Sequence, residues 1–136
     1  MKRANLIACG IIIATSGCAG IKTTSTVDTG ASFTLVPGET AVVKGADARI
    51  TFNKVTDDSR CPVDVTCVWA GDAHVEVTIS RNGAPDETRV LSITPPKHET
   101  AVGNLRIRFV SLAPVPHQAD PSPRRNYRAE FVVDQT

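Results

Sequence analysis

This sequence is short of the features that announce an enzyme or a nucleic-acid binder. Its 15 basic and 14 acidic side chains nearly cancel, so it offers no electrostatic footprint for a phosphate backbone or an anionic membrane. There is no G-x-S-x-G elbow, and His98-Glu99 is followed by Val102 where a zinc-protease helix would carry its second histidine. No segment holds a helical period long enough to define a helix. No apolar run is long enough to span a bilayer as a permanent anchor. Catalysis and a cofactor are therefore not expected from any motif, and neither is a nucleic-acid partner.

What is present begins at the N-terminus. Residues 1–17, MKRANLIACGIIIATSG, read as an export signal, with Lys2 and Arg3 ahead of a short apolar stretch from Leu6 to Ala14. Thr15, Ser16 and Gly17 then lead to Cys18. Small residues ending at a cysteine resemble the bacterial lipobox, in which that cysteine is lipidated and becomes the mature N-terminus. Thr15 departs from the leucine usual there. Ordinary cleavage at a nearby small residue, releasing a soluble protein, is the competing reading. Ala19 stands where an aspartate would imply retention at the inner membrane, so the resemblance implies a cell-envelope protein held at the outer membrane, facing the periplasm. Loss of Lys2 and Arg3 leaves 13 of the 15 basic residues against 14 acidic ones, so lipid, not charge, would attach it. Residues 18–32 are small and polar and read as a flexible lipidated tether, reaching roughly 20 Å as a random coil. Residues 33–136 form the folded domain.

In this reading Cys9 leaves with the signal and Cys18 carries lipid, so Cys61 and Cys67 remain as a pair in an oxidising compartment. A bridge closing so small a loop removes roughly 2.4 kcal/mol of unfolded-chain entropy. The rival is a pair of thiolate metal ligands. Such pairs usually stand two to four residues apart and need further ligands, and His74 is the only histidine near in sequence.

The cysteines sit in DSRCP (58–62) and CVWAG (67–71), followed by DAHVEV (72–77). This run resembles a signature of small β-rich bacterial lipoproteins of uncharacterised function, in which a DSRCP-type turn and a C-x-W-x-G turn are joined by a short disulfide loop. The likeness covers residues 57–77. It implies envelope location, a Cys61–Cys67 disulfide and a β fold, and it transfers no catalytic residue.

Strand patterns occupy most of the rest. ARITFNKV (48–55), HVEVTIS (74–80), LRIRFVSL (105–112) and NYRAEFVV (126–133) alternate apolar and polar residues. Shorter runs are FTLVP (33–37), ETAVVK (39–44) and ETRVLSI (87–93). Seven short strands with Gly, Pro and Asn punctuation predict an all-β fold, a single antiparallel β-sandwich or barrel of about seven strands. The long cysteine spacing of immunoglobulin domains is missing. Residues 113–126, APVPHQADPSPRRN, form an unusually long connection. Its prolines would keep it extended for a partner, or it is simply a solvated excursion.

Several constellations have two readings. His74, His98 and His117 could converge on a metal, or stand apart as loop histidines. Asp57, Asp58, Asp64 and Asp72 could offer oxygens to calcium, although Asp is also an ordinary turn former. Arg60, among these carboxylates, is expected to pair with one. Trp69 is expected to pack over the disulfide, two residues beyond Cys67 on the same side of a strand. Alternatively it is exposed as a binding anchor. Arg106, Arg108 and Arg128, with Arg124 and Arg125, gather basic charge that could meet an acidic envelope polymer, or form a solvated face. The expected function is a lipid-anchored, non-catalytic binding or structural module. Its partners would be the membrane, through the lipid, and an envelope protein or polymer. The alternative is a periplasmic metal-binding protein using loop histidines with Asp or Cys ligands.

Overall fold

Period-two alternation builds this molecule, because each strand has one face to bury and one to leave in water. The computed structural model describes residues 23–120 and 126–136. The signal at 1–17, Cys18, Arg124 and Arg125 lie outside the described residues. The strands are β1 Thr24–Val27, β2 Ser32–Leu35, β3 Thr40–Val43, β4 Ala48–Asp58, β5 Ala73–Arg81, β6 Glu87–Ser92, β7 Glu99–Val102, β8 Leu105–Ala113 and β9 Arg128–Gln135. No helix occurs among the described residues. One sheet has the order β1-β3-β4-β5-β6 and the other β2-β9-β8-β7, so neither closes into a barrel. All the ladders are antiparallel except β1 with β3, where Thr24 lies opposite Thr40 and Val27 opposite Val43.

The alternation explains which residues meet between the sheets. In β5, Ala73, Val75, Val77 and Ile79 are fully buried, while His74, Glu76 and Thr78 face outward and are half-buried. Outside, Asn53 donates from Nδ2 to Thr78 Oγ1 at 2.8 Å and to Glu76 Oε1 at 3.1 Å. In β8, Leu105, Ile107 and Phe109 point in, with Arg106 exposed between them. Ala129, Phe131 and Val133 do the same in β9. The inner faces of both sheets make one apolar cluster. At its centre the Phe131 ring meets Phe52 of the opposite sheet edge-on at 5.9 Å, Phe109 at 5.7 Å and Phe33 at 6.1 Å.

Two bulges in β4 matter for the site. The register slips once between Phe52 and Lys54 and again between Val55 and Asp57. Each slip flips the alternation. The first brings Val55 inward opposite Val75, and the second brings Asp58 inward opposite Ala73. A carboxylate is thus carried to the rim of the core, where it must find partners.

Two expectations need correction. There are nine strands among the described residues, not about seven. The expected flexible tether at 18–32 is also structured in part, since it contains β1 and the start of β2. Val27 is buried in the common core, and the β1 backbone is satisfied along β3. One apolar residue and an unpaired neighbouring edge suffice to order this polar stretch.

Phe131 links both sheets, so truncating it leaves a cavity that neither can fill. Phe131→Ala should lower unfolding free energy by about 4 kcal/mol, read from urea denaturation followed by far-ultraviolet circular dichroism.

Candidate functional site

The connection between β4 and β5 stands at one end of the two sheets. Its stem continues the hairpin beyond the strands: Ser59 N donates to Asp72 O and Cys61 N to Ala70 O, both at 2.8 Å. Gly71 lets the stem close. It has φ of +71°, and a Cβ there would lie 1.8 Å from the Ser59 carbonyl oxygen, so no other residue fits. Above the stem Cys61 and Cys67 are joined in a disulfide with their Cα atoms 6.0 Å apart. The sulfurs are consumed by the bridge, which removes them as metal ligands.

Arg60 fastens this loop to the rest of the protein. Its Nε donates to Asp58 Oδ1 at 2.7 Å and its Nη2 to Asp58 Oδ2 at 2.8 Å, a bidentate pair. The other side of the fork reaches the opposite sheet, Nη1 donating to Leu112 O at 2.6 Å and Nη2 to Pro114 O at 3.0 Å. Tyr127 Oη donates to Asp58 Oδ2 at 3.0 Å. The Arg60 and Asp58 side chains are only 12% and 5% exposed. Burial alone would push the Asp58 carboxyl up. Hydrogen bonds from Arg60, its charge and the Tyr127 hydroxyl outweigh burial and hold the group below its ordinary 3.8. The pairing expected of Arg60 is therefore present, with a second role in bridging the sheets.

A second carboxylate braces the other stem strand. Asp72 accepts Ser92 Oγ at 2.6 Å, the Ala73 amide at 2.8 Å and Thr94 Oγ1 at 3.2 Å, with His74 Nε2 at 3.3 Å. Ser92 is itself buried. Burial again raises the Asp72 carboxyl, and the Ser92 and Ala73 hydrogen bonds, His74 and Thr94 together bring it below its ordinary value.

The described part of the proline-rich connection packs beside the loop. Val63 N donates to Pro116 O at 3.0 Å, and Gln118 N to Asp64 Oδ1 at 2.8 Å. His117 and Asp120 exchange backbone hydrogen bonds that close a small turn. Residues 114–120 are thus a second wall of the tip.

The outcome for Trp69 corrects the expectation that it packs over the bridge. Trp69 is 79% exposed, and Val68 is 91%, Val63 60% and Val115 49% exposed. The period-two argument fails because residues 62–72 are not a strand, so nothing places Trp69 and Cys67 on a common face. Cys67 is itself exposed. The three valines were not singled out by sequence, although apolar residues in a connection rich in Asp and Pro had no strand face to enter.

The histidines serve different neighbourhoods. His74 lies between Asp72 and Asp57, its Nδ1 being 3.6 Å from Asp57 Oδ2. His117 Nδ1 is 3.9 Å from Asp64 Oδ2. His98 is half-buried, and its carbonyl accepts the Phe109 amide at 2.7 Å. Among the described residues no three of His, Cys, Asp and Glu are grouped to hold a metal ion. Of the basic hairpin, Arg108 is engaged with Asp134 at 3.1 Å and Glu99 at 4.0 Å, whereas Arg106 and Arg128 are exposed.

Fold and site together define an all-β protein of two sheets carrying a disulfide-closed apolar tip. In comparison with known proteins, no family model, curated protein or solved structure matches the chain.

Arg60→Ala would leave the enclosed Asp58 carboxylate with Tyr127 and free the carbonyls of Leu112 in β8 and of Pro114 just beyond it. The expected cost is about 3 kcal/mol, and Arg60→Lys should recover little, because an ammonium cannot reproduce the fork. Circular dichroism is the better probe, since exposed Trp69 reports poorly on global unfolding.

The acid limb follows from the two carboxylates. Both have native pKa values below 3.8, so their stabilisation is complete above that value. It is lost as pH falls from there through the lowered native values. Melting temperature should decline below about pH 4, and Asp58→Asn should start lower and fall less steeply. An unchanged acid limb in that variant would refute the assignment.

Proposed function

We propose that this protein is a lipid-anchored lipoprotein of the cell envelope, held at Cys18 in the outer membrane and facing the periplasm. Its β-sandwich is a non-catalytic binding module. The sequence supports the anchor through the signal at 1–17 and the Thr-Ser-Gly-Cys run. The observation that carries the binding role is the joint exposure of Val63, Val68, Trp69 and Val115 at one end of the domain. An exposed Trp and three exposed valines on two adjoining segments are costly to keep in water, and apolar surface of this kind marks interaction sites.

The architecture suits that role. The disulfide closes the loop, Arg60 bolts it to both sheets, and the 114–120 segment supports it from the side. Such a tip is pre-organised, so little conformational entropy is lost when it meets an envelope component. No nucleic-acid partner is proposed for a chain of balanced charge.

Metabolic labelling with a fatty-acid analogue tests the anchor. Wild-type chain should be labelled and fractionate with membranes, and Cys18→Ala should be unlabelled and released from them. Equal labelling of the two, or none in either, overturns the reading.

A further inference from the structure

The parallel pairing of β1 with β3 decides which end of the domain the N-terminal segment leaves from. Thr24 lies level with Thr40, Thr51 and Thr78, and β1 runs from there toward Val27 and the β3–β4 turn. The chain therefore enters β1 from the end that carries the disulfide loop.

Distances along the strands sharpen this. From the level of Thr78 to Ala73, β5 advances five residues, about 17 Å. The stem bonds Ser59–Asp72 and Cys61–Ala70 then carry the hairpin roughly 7–10 Å farther. Cys18 precedes Thr24 by six residues, a span of at most about 20 Å when fully extended. Along the strand axis the tip thus projects beyond any level that Cys18 can reach.

We infer that the tip of Val63, Val68, Trp69 and Val115 seats in the headgroup–acyl boundary of a bilayer, the same bilayer that holds Cys18. This rests on the lipid-anchored reading above. With the strands upright, a membrane gripping the lipid on Cys18 cannot avoid the tip. The tip's chemistry suits that depth, because an indole with its apolar body and polar N–H prefers the interface. Its surroundings carry charge of both signs. Asp57 and Asp64 are 57% and 46% exposed, whereas the Arg60 charge is turned inward onto Asp58. Exposed Lys54 lines one cleft with Asp57 and Asp58, exposed Lys97 is tied to the end of β6 at Ser92, and exposed Arg128 stands opposite Ala113, so charge of neither sign dominates this end and the attachment is apolar.

Trp69 is the sole tryptophan, so its fluorescence reports the tip alone. The full chain, as matured by the cell, would be mixed with saturating phosphatidylcholine vesicles, with and without bromine on the acyl chains. Flotation reads attachment and Trp69 emission reads the tip. Expected are a shift of emission to shorter wavelength, quenching by the brominated chains, and a severalfold loss of quenching by aqueous acrylamide. Replacing half of the lipid by phosphatidylglycerol should leave all three in place, because the attachment is apolar. Val68→Asp keeps the reporter at a position too exposed to affect folding, and it should abolish the bromine quenching without moving the melting temperature.

Chain that floats while Trp69 stays open to acrylamide and untouched by bromine would overturn the tip inference and leave the anchor standing. Chain that carries no fatty acid would end the anchor reading, and bromine quenching at saturating vesicles would still decide the tip. A Trp69 shift with detergent-solubilised envelope proteins, but none with vesicles, would assign the surface to a protein and overturn the inference.

Discussion

The guanidinium of Arg60 is the joint on which the two halves of this molecule depend. A disulfide-closed loop is rigid within itself, but a bridge six residues long says nothing about where the loop points. Arg60 supplies that information. It directs four N–H bonds, two to a carboxylate at the end of β4 and two to carbonyls at the end of β8 and just beyond it. The carboxylate is available only because two bulges in β4 rotate Asp58 inward. An isolated Asp in that place would protonate or distort the rim, and the paired one locks the sheets together at their loop end.

Below that joint the protein is conventional in its energetics. A single apolar core with Phe131 at its centre joins the inner faces of both sheets. Above it the usual distribution is inverted, with apolar side chains in water and polar ones tied down within the loop stem. The separation is kept sharp by Asp72, whose bonds to Ser92 and Thr94 pin the return strand, and by Gly71, whose hydrogen is all the space allows beside Ser59. Stability and surface chemistry are thereby assigned to different residues, so the tip is free to be apolar without weakening the fold.

How much of this was legible depended on whether a residue's role was local. β5, β8 and β9 are long enough for alternation to show, and their inward residues, from Val75 to Phe131, are those the pattern names, whereas in β4 the pattern holds only as far as Phe52, where the first bulge flips it. The Cys61–Cys67 bridge was legible because few partners were left for either thiol. β1 and β7 were not, since TSTV and ETAV bury one residue each at Val27 and Val102 and become strands only by lying along β3 and β8. Trp69 was misread for a related reason. Two-residue periodicity was extended into a segment whose path is set by a disulfide, a positive-φ glycine and a distant arginine. The carbonyls of Leu112 and Pro114 that complete the Arg60 site have no sequence signature at all.

The order of the first strand has a mechanical consequence. β1 lies parallel to β3 over four residue pairs, and it is the first strand met by any tension entering along the N-terminal segment. Such a pull runs along the strand axis, so the β1–β3 hydrogen bonds bear it together in shear and cannot open one after another like a zipper. The C-terminal strand β9, by contrast, is held between β2 and β8 in the middle of its sheet. A domain pulled from its N-terminus is thus gripped by an edge strand loaded in its strongest direction, one that is also seated in the core through Val27.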